Sequence, residues 1–134
     1  MTKLKEIQDK VYEIGKKIDA PKALLVIYDR PMDDGTPYVA YTNGALSYIS
    51  SERGCELFRK SDLSIDDLLY FIFDRITSMM AMDYELGNRI EGQNSRRIYF
   101  LKKIELMAKL DFSWEYRAKQ EINRTLLSSP FVDR

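Results

Sequence analysis

An α+β fold is what this sequence predicts, and three observations carry the prediction. Apolar residues recur at steps of three and four near the N-terminus and again through the second half, the spacing a helix needs to bury one face. Between those regions, Tyr38–Thr42 and Ala45–Ile49 flank Asn43-Gly44, whose tolerance of positive φ suits a two-residue type I′ turn between antiparallel strands. No repeat, linker or low-complexity tract breaks the 134 residues, so a single domain over 1–134 is expected. The predicted order is an N-terminal helix, an antiparallel β-meander of three to four strands, then three helices that include an antiparallel hairpin.

Each element has its own reason. Leu4, Ile7, Val11, Ile14 and Ile18 make one face of a helix over 3–18, and Asp19-Ala20-Pro21 ends it, because the residue before proline is steered out of the helical region. The apolar run Ala23–Tyr28 reads as a strand or an extended core segment, and Asp29–Pro37 as an exposed turn-rich loop. Ser51–Gly54 is a second turn, after which Cys55–Arg59 returns as a strand with Cys55 and Leu57 on one face; Cys55 is expected to be buried. Ser64 with Asp67 resembles a capping box and starts a long helix. Its predicted seam is Ile65, Leu68, Leu69, Ile72, Ile76, Met79, Asp83, Leu86 and Ile90, closed by Gly92. Asn94 or Ser95 caps the next helix, with a seam of Arg97, Leu101, Ile104 and Ala108, and the last helix carries Trp114, Ala118, Ile122 and Leu126 until Ser128-Ser129-Pro130.

Composition narrows the function. Lysine plus arginine and aspartate plus glutamate both number 21, so no overall field draws the chain to nucleic acid. The balance is uneven along the chain: residues 52–91 hold nine acids and five bases, residues 95–124 eight bases and four acids, an offset that favours helix pairing. Leu68–Phe73, the longest apolar run, is far short of the roughly 20 residues of a membrane span. The charged start MTKLKEIQDK does not read as a secretory signal and Cys55 has no second cysteine to pair with, so a cytoplasmic protein is expected. Histidine is absent, which removes the usual general base at neutral pH and the commonest metal ligand. Asp33-Asp34-Gly35 lacks the later ligands of a calcium loop. No catalytic, cofactor or metal residues are assigned.

The polar cluster in Met79–Phe100 needs an explanation. Asp83 and Arg97 occupy positions the period reserves for apolar residues, and a buried charge is costly unless paired. A register lock between two helices is the reading that results, although an antiparallel turn near Gly92-Gln93 puts Asp83 nearest Lys102 and leaves Arg97 more than a helical turn away. Arg53 and Arg59 compete for Asp83. Glu85 and Arg89 form an ordinary i,i+4 pair. The competing reading is a small intracellular ligand-binding domain or enzyme, with Asp83, Glu85, Arg89, Arg96 and Arg97 around a cleft. A structural interaction module is a third.

The combination Glu52-Arg53-Gly54, Asp66–Thr77, DYEL at Asp83–Leu86, Arg89, Arg96-Arg97, Phe100, Trp114 and Pro130–Asp133 resembles the immunity protein 63 family of bacterial polymorphic toxin systems. Where relatives carry YW in the central helix, this chain has Tyr70-Phe71. The resemblance implies a non-enzymatic cytosolic protein, without cofactor, that binds and neutralises a cognate toxin domain. Candidate contacts are the acids Asp33, Asp34 and Glu52, the strand residues Tyr38 and Tyr41, which alternation places on opposite faces, and Trp114, either a core residue or an exposed anchor. Oligomeric state is not legible.

Overall fold

The computed structural model describes residues 2–134, and the chain forms two compact units, Met1–Phe73 and Asp74–Arg134. The architecture is α+β: one helix, a three-stranded antiparallel sheet, then three helices.

In the first unit α1 (Lys3–Gly15) starts where the Thr2 hydroxyl accepts the Lys5 N–H, and it buries Ile7 and Val11. A 3₁₀ turn over Lys16–Ile18 prolongs it until Asp19 adopts a left-handed φ of +50°. Gly15 is buried because Leu25 packs where a Cβ would stand. The Ala23–Tyr28 run does not become a fourth strand. Half of it is a 3₁₀ turn (Lys22–Leu25), and the rest is held by the Gln8 amide, which donates to the Leu25 carbonyl and accepts the Ile27 N–H, both at 2.8 Å. A side chain thus replaces a strand partner, and only a single parallel bridge, Tyr28 to Tyr38, reaches the sheet.

Strands β1 (Tyr38–Thr42), β2 (Ala45–Glu52) and β3 (Cys55–Leu63) lie in the order β1-β2-β3. Their turns are built alike: Asn43-Gly44 has φ of +53° and +78°, Arg53-Gly54 +51° and +79°, as a type I′ turn requires. Strand β3 runs further than the sequence predicted and is not half buried. Its residues from Cys55 to Asp62 are exposed, Cys55 among them, because β3 is an edge strand. Register breaks opposite Ser50/Ser51 and Leu46/Tyr48 leave Leu57 out of the ladder and turn the strand at Asp62, φ +54°. After the first break Phe58 and Lys60 share the face of Tyr48, with the Phe58 and Tyr48 rings 5.9 Å apart. Helices approach this same face: the Lys60 ammonium lies 4.5 Å from the Phe71 ring of α2 (Ile65–Leu86), and Lys3 of α1 lies over Tyr41. Ser64 caps α2 by accepting the Asp67 N–H, and Leu68, Leu69, Tyr70, Ile72 and Phe73 are buried.

The second unit holds the rest of α2, then α3 (Arg96–Leu110) and α4 (Phe112–Ser128). Helix α2 stops at Leu86, four residues before the predicted Ile90, which is exposed; Gly92 spends its positive φ in the loop that follows. Asp111 ends α3 and caps α4, its carboxylate accepting the N–H groups of Ser113 and Trp114. Trp114, Ala118 and Ile122 are buried as their spacing predicts.

Arg53 is the one awkward residue in the second turn, since a left-handed φ favours Asn over Arg. Arg53→Asn is expected to raise stability by about 0.5–1 kcal/mol in urea melts, with the m-value unchanged.

Candidate functional site

The predicted seam of α2 holds through Ile76, which is 1% exposed, and fails beyond it, and the seam of α3 is not the one the hydrophobic period selects. On α2, Asp83 is exposed and Glu85 is buried, at 4% exposure; Met82 and Leu86 face outward. Steps of four, three and four put Asp74, Ser78, Ala81 and Glu85 on one line of the helix. On α3 the buried residues are Lys103, Leu106, Met107 and Leu110, whereas Leu101 is 70% exposed and Ala108 is also outside. Lys103 fits an inward stripe because its ammonium has partners on the α2 line: it donates to the Asp74 carboxylate, to the Ser78 hydroxyl at 2.6 Å and to the Asp74 carbonyl at 3.3 Å. The stem adds apolar contact while the head is answered.

Asp83 and Arg97 therefore do not form a register lock. Hairpin geometry near the loop is as expected, with Lys102 4.5 Å from the Tyr84 ring, one residue along from the predicted Asp83. Arg97 instead pairs with Asp133 at 3.0 Å, and Arg59, a rival for Asp83, pairs with Glu56. Asp133 also accepts the Asn94 N–H at 2.8 Å, and these hydrogen bonds, from Arg97 first and Asn94 second, hold its carboxyl below the ordinary aspartate range. This is the compensation that a cation in the first turn of α3 requires. Asn94 caps Arg96, whose guanidinium donates to the Pro130 carbonyl at 2.8 Å, and Phe131 lies beneath both arginines and beside the Phe100 ring.

Glu85 and Arg89 do pair, at 2.6 Å, but not as two exposed side chains. The Glu85 side chain is 6% exposed against 61% for Arg89, so the guanidinium lies over an inward carboxylate. The hydrogen bond that Arg89 donates to the Glu85 carboxylate raises the Arg89 pKa. The five residues of the predicted cluster are thus divided: a Glu85–Arg89 pair, Arg96 and Arg97 against the 130–134 segment, and Asp83 on the surface.

The candidate contact residues separate too. Asp33, Asp34 and Glu52 are brought together at the Arg53-Gly54 turn: Asp34 bridges Glu52, the Asp33 carbonyl accepts the Arg53 N–H at 3.2 Å, and all three side chains are exposed. Tyr38, half-buried, and Tyr41, exposed, lie on opposite faces as predicted. Trp114 is 4% exposed and belongs to the core. Two open cavities of about 530 Å³ lie in the first unit, one lined by Leu4, Gln8, Tyr28 and Arg30 among others, the second by Tyr12, Lys16 and Lys22 among others; neither holds any residue of the 83–97 cluster. Among the described residues no cluster of acids and cysteine could hold a metal ion, and no helix is long and apolar enough to cross a membrane. The sequence reading missed Asp74, Ser78 and Lys103; the one usable signal was an acid and a hydroxyl at i and i+4 opposite a lysine.

Such an arrangement defines a small α+β protein whose strongest polar contacts fasten its own helices. Residues 43–124 match the family model of immunity protein 63, and the chain belongs to that family, one of immunity proteins of toxin systems. No curated protein and no solved structure matches the chain.

Asp74→Ala strands the Lys103 ammonium and is expected to cost roughly 2–4 kcal/mol in chemical denaturation, whereas Asp74→Ala combined with Lys103→Met recovers most of the loss. Additive losses in the double variant would show that the two groups are independent.

Proposed function

We propose that this protein binds and neutralises a cognate toxin domain in the cytoplasm of the cell that makes both, and that residues 1–134 act as one immunity domain. Membership of the immunity protein 63 family is the observation that carries the reading. The surface supports it. With 21 acids and 21 bases, the chain has no net field to drive association, so affinity is expected from apolar anchors inside a charged rim. Trp114 is buried and does not serve; on the outer side of α4, Phe112, Tyr116 and Leu127 are 84%, 62% and 85% exposed. In the first unit, the acids Asp33, Asp34 and Glu52, gathered at one sheet turn, are proposed as charged contacts in their own right, with Tyr41 on the same sheet and Tyr38 on its opposite face.

Coexpression with the toxin-like protein encoded beside it is expected to restore growth that the toxin alone arrests, and the two chains are expected to co-purify. Arrested growth together with two separately eluting proteins would refute the proposal for that pair. Inhibition without a stoichiometric complex would instead favour an enzymatic mode of protection.

A further inference from the structure

The contacts around the 130–134 segment amount to a peptide seated in a site. Arg96 donates to the Pro130 carbonyl at 2.8 Å and to the Ser129 hydroxyl at 3.3 Å. The guanidinium carbons of Arg97 and Arg96 lie 4.2 and 5.5 Å from the Phe131 ring, and Phe100 closes another side at 6.1 Å. Two residues further on, the Asp133 carboxylate takes the Arg97 guanidinium and the Asn94 N–H. The Arg134 N–H then donates to the Gly92 carbonyl at 2.7 Å, and a Cβ at Gly92 would stand 2.9 Å from the Arg134 carbonyl oxygen, so the backbones lie against each other.

Every part of this site reads a feature of the segment: two cations and the Asn94 N–H for an aromatic face and a carboxylate, a ring for the ring's flank, and the Gly92 carbonyl for a main-chain N–H. The occupant is weakly held. Arg97 and Asp133 are 38% and 46% exposed, and Val132 is 70% exposed, so water and salt compete for the contacts. What holds the segment in place is its attachment, which gives it a high effective concentration at the site.

We propose that the first turn of α3 is a peptide-binding site, built from Arg96, Arg97, Phe100, the Asn94 N–H and the Gly92 carbonyl, which takes an extended aromatic–X–acid segment. Residues Pro130–Arg134 fill it as a removable strap. Removing the strap exposes two arginines and a ring beside a helix start to a segment of the same chemistry supplied in trans. The site stands or falls independently of toxin neutralisation.

The test is addition of the capped peptide SSPFVDR, residues 128–134, to a chain ending at Ser129, read by titration calorimetry at low salt. Binding is expected with Kd roughly 0.1–1 mM, as a few exposed contacts give. It should weaken at least tenfold when Ala replaces the Phe or the Asp of the peptide, and at least tenfold in the unshortened protein, whose site is filled. A folded shortened chain that does not bind the peptide, or binding that ignores either replacement, overturns the proposal. Should the shortened chain fail to fold, the full-length Phe131→Ala/Asp133→Ala variant takes its place with the same expectations. Amide exchange in the unaltered protein gives an independent reading: Asn94 and Arg134 are expected to exchange at least a hundredfold faster than Leu106 and Met107, and equal protection would rule out a removable strap.

Discussion

A lysine on the inward stripe of a helix needs hydrogen-bond partners for its ammonium, and in the Asp74–Arg134 unit Lys103 finds them on α2. Lys103 lies between Tyr99 and Phe100 on one side and Leu106 and Met107 on the other in the helical sequence of α3. Its partners, Asp74 and Ser78, lie half-buried at the margin of the inward face of α2. Further along α2, Ala81 and Glu85 follow at helical spacing, Met82 and Leu86 point outward, and Glu85 needs the Arg89 guanidinium laid over it. Apolar burial sets the face of α2 through Ile76, and in its last turns the buried positions are Ala81 and Glu85 rather than Asp83 and Leu86.

The start of α3 repeats the theme at a surface. Two arginines in a first helical turn oppose the helix dipole, and the chain meets them with Asp133 from far along the sequence and with the Phe131 ring. A cluster of charges that resembles a site is thus divided among separate fastenings, and Asp83, its most conspicuous member from the sequence, is exposed outside them. The acids at the Arg53-Gly54 turn of the first unit and the outer side of α4 in the second are both exposed.

Much of the fold was legible because it rests on local chemistry. Asn43-Gly44 declares its turn through backbone tolerance and Gly54 marks the second, Ser64 sits where α2 starts, and Pro21 and Pro130 sit where helices have stopped. The face of α2 was legible through Leu68, Leu69, Ile72 and Ile76, but its last turns and the face of α3 were not, because a hydrophobic period cannot choose Ala81 and Glu85 over positions with Met and Leu. Long-range partnership was hidden as well. Nothing near Arg97 announces Asp133, and nothing near Ile27 announces that Gln8 holds it where a strand or an extended core segment was expected. Leu57 was misplaced by one residue of bulge, which is enough to move a strand's side chains to the other face.

The rotation of α2 is tested most directly by comparing the melts of Asp83→Ala and Glu85→Ala, two variants of neighbouring acids in the same helix. An inward Glu85 predicts a loss of about 1–3 kcal/mol for Glu85→Ala, since a buried, hydrogen-bonded group is removed, and a change within about 0.5 kcal/mol for Asp83→Ala. The reverse order, with Asp83→Ala the damaging change, would contradict the account and restore the seam that the hydrophobic period alone predicts.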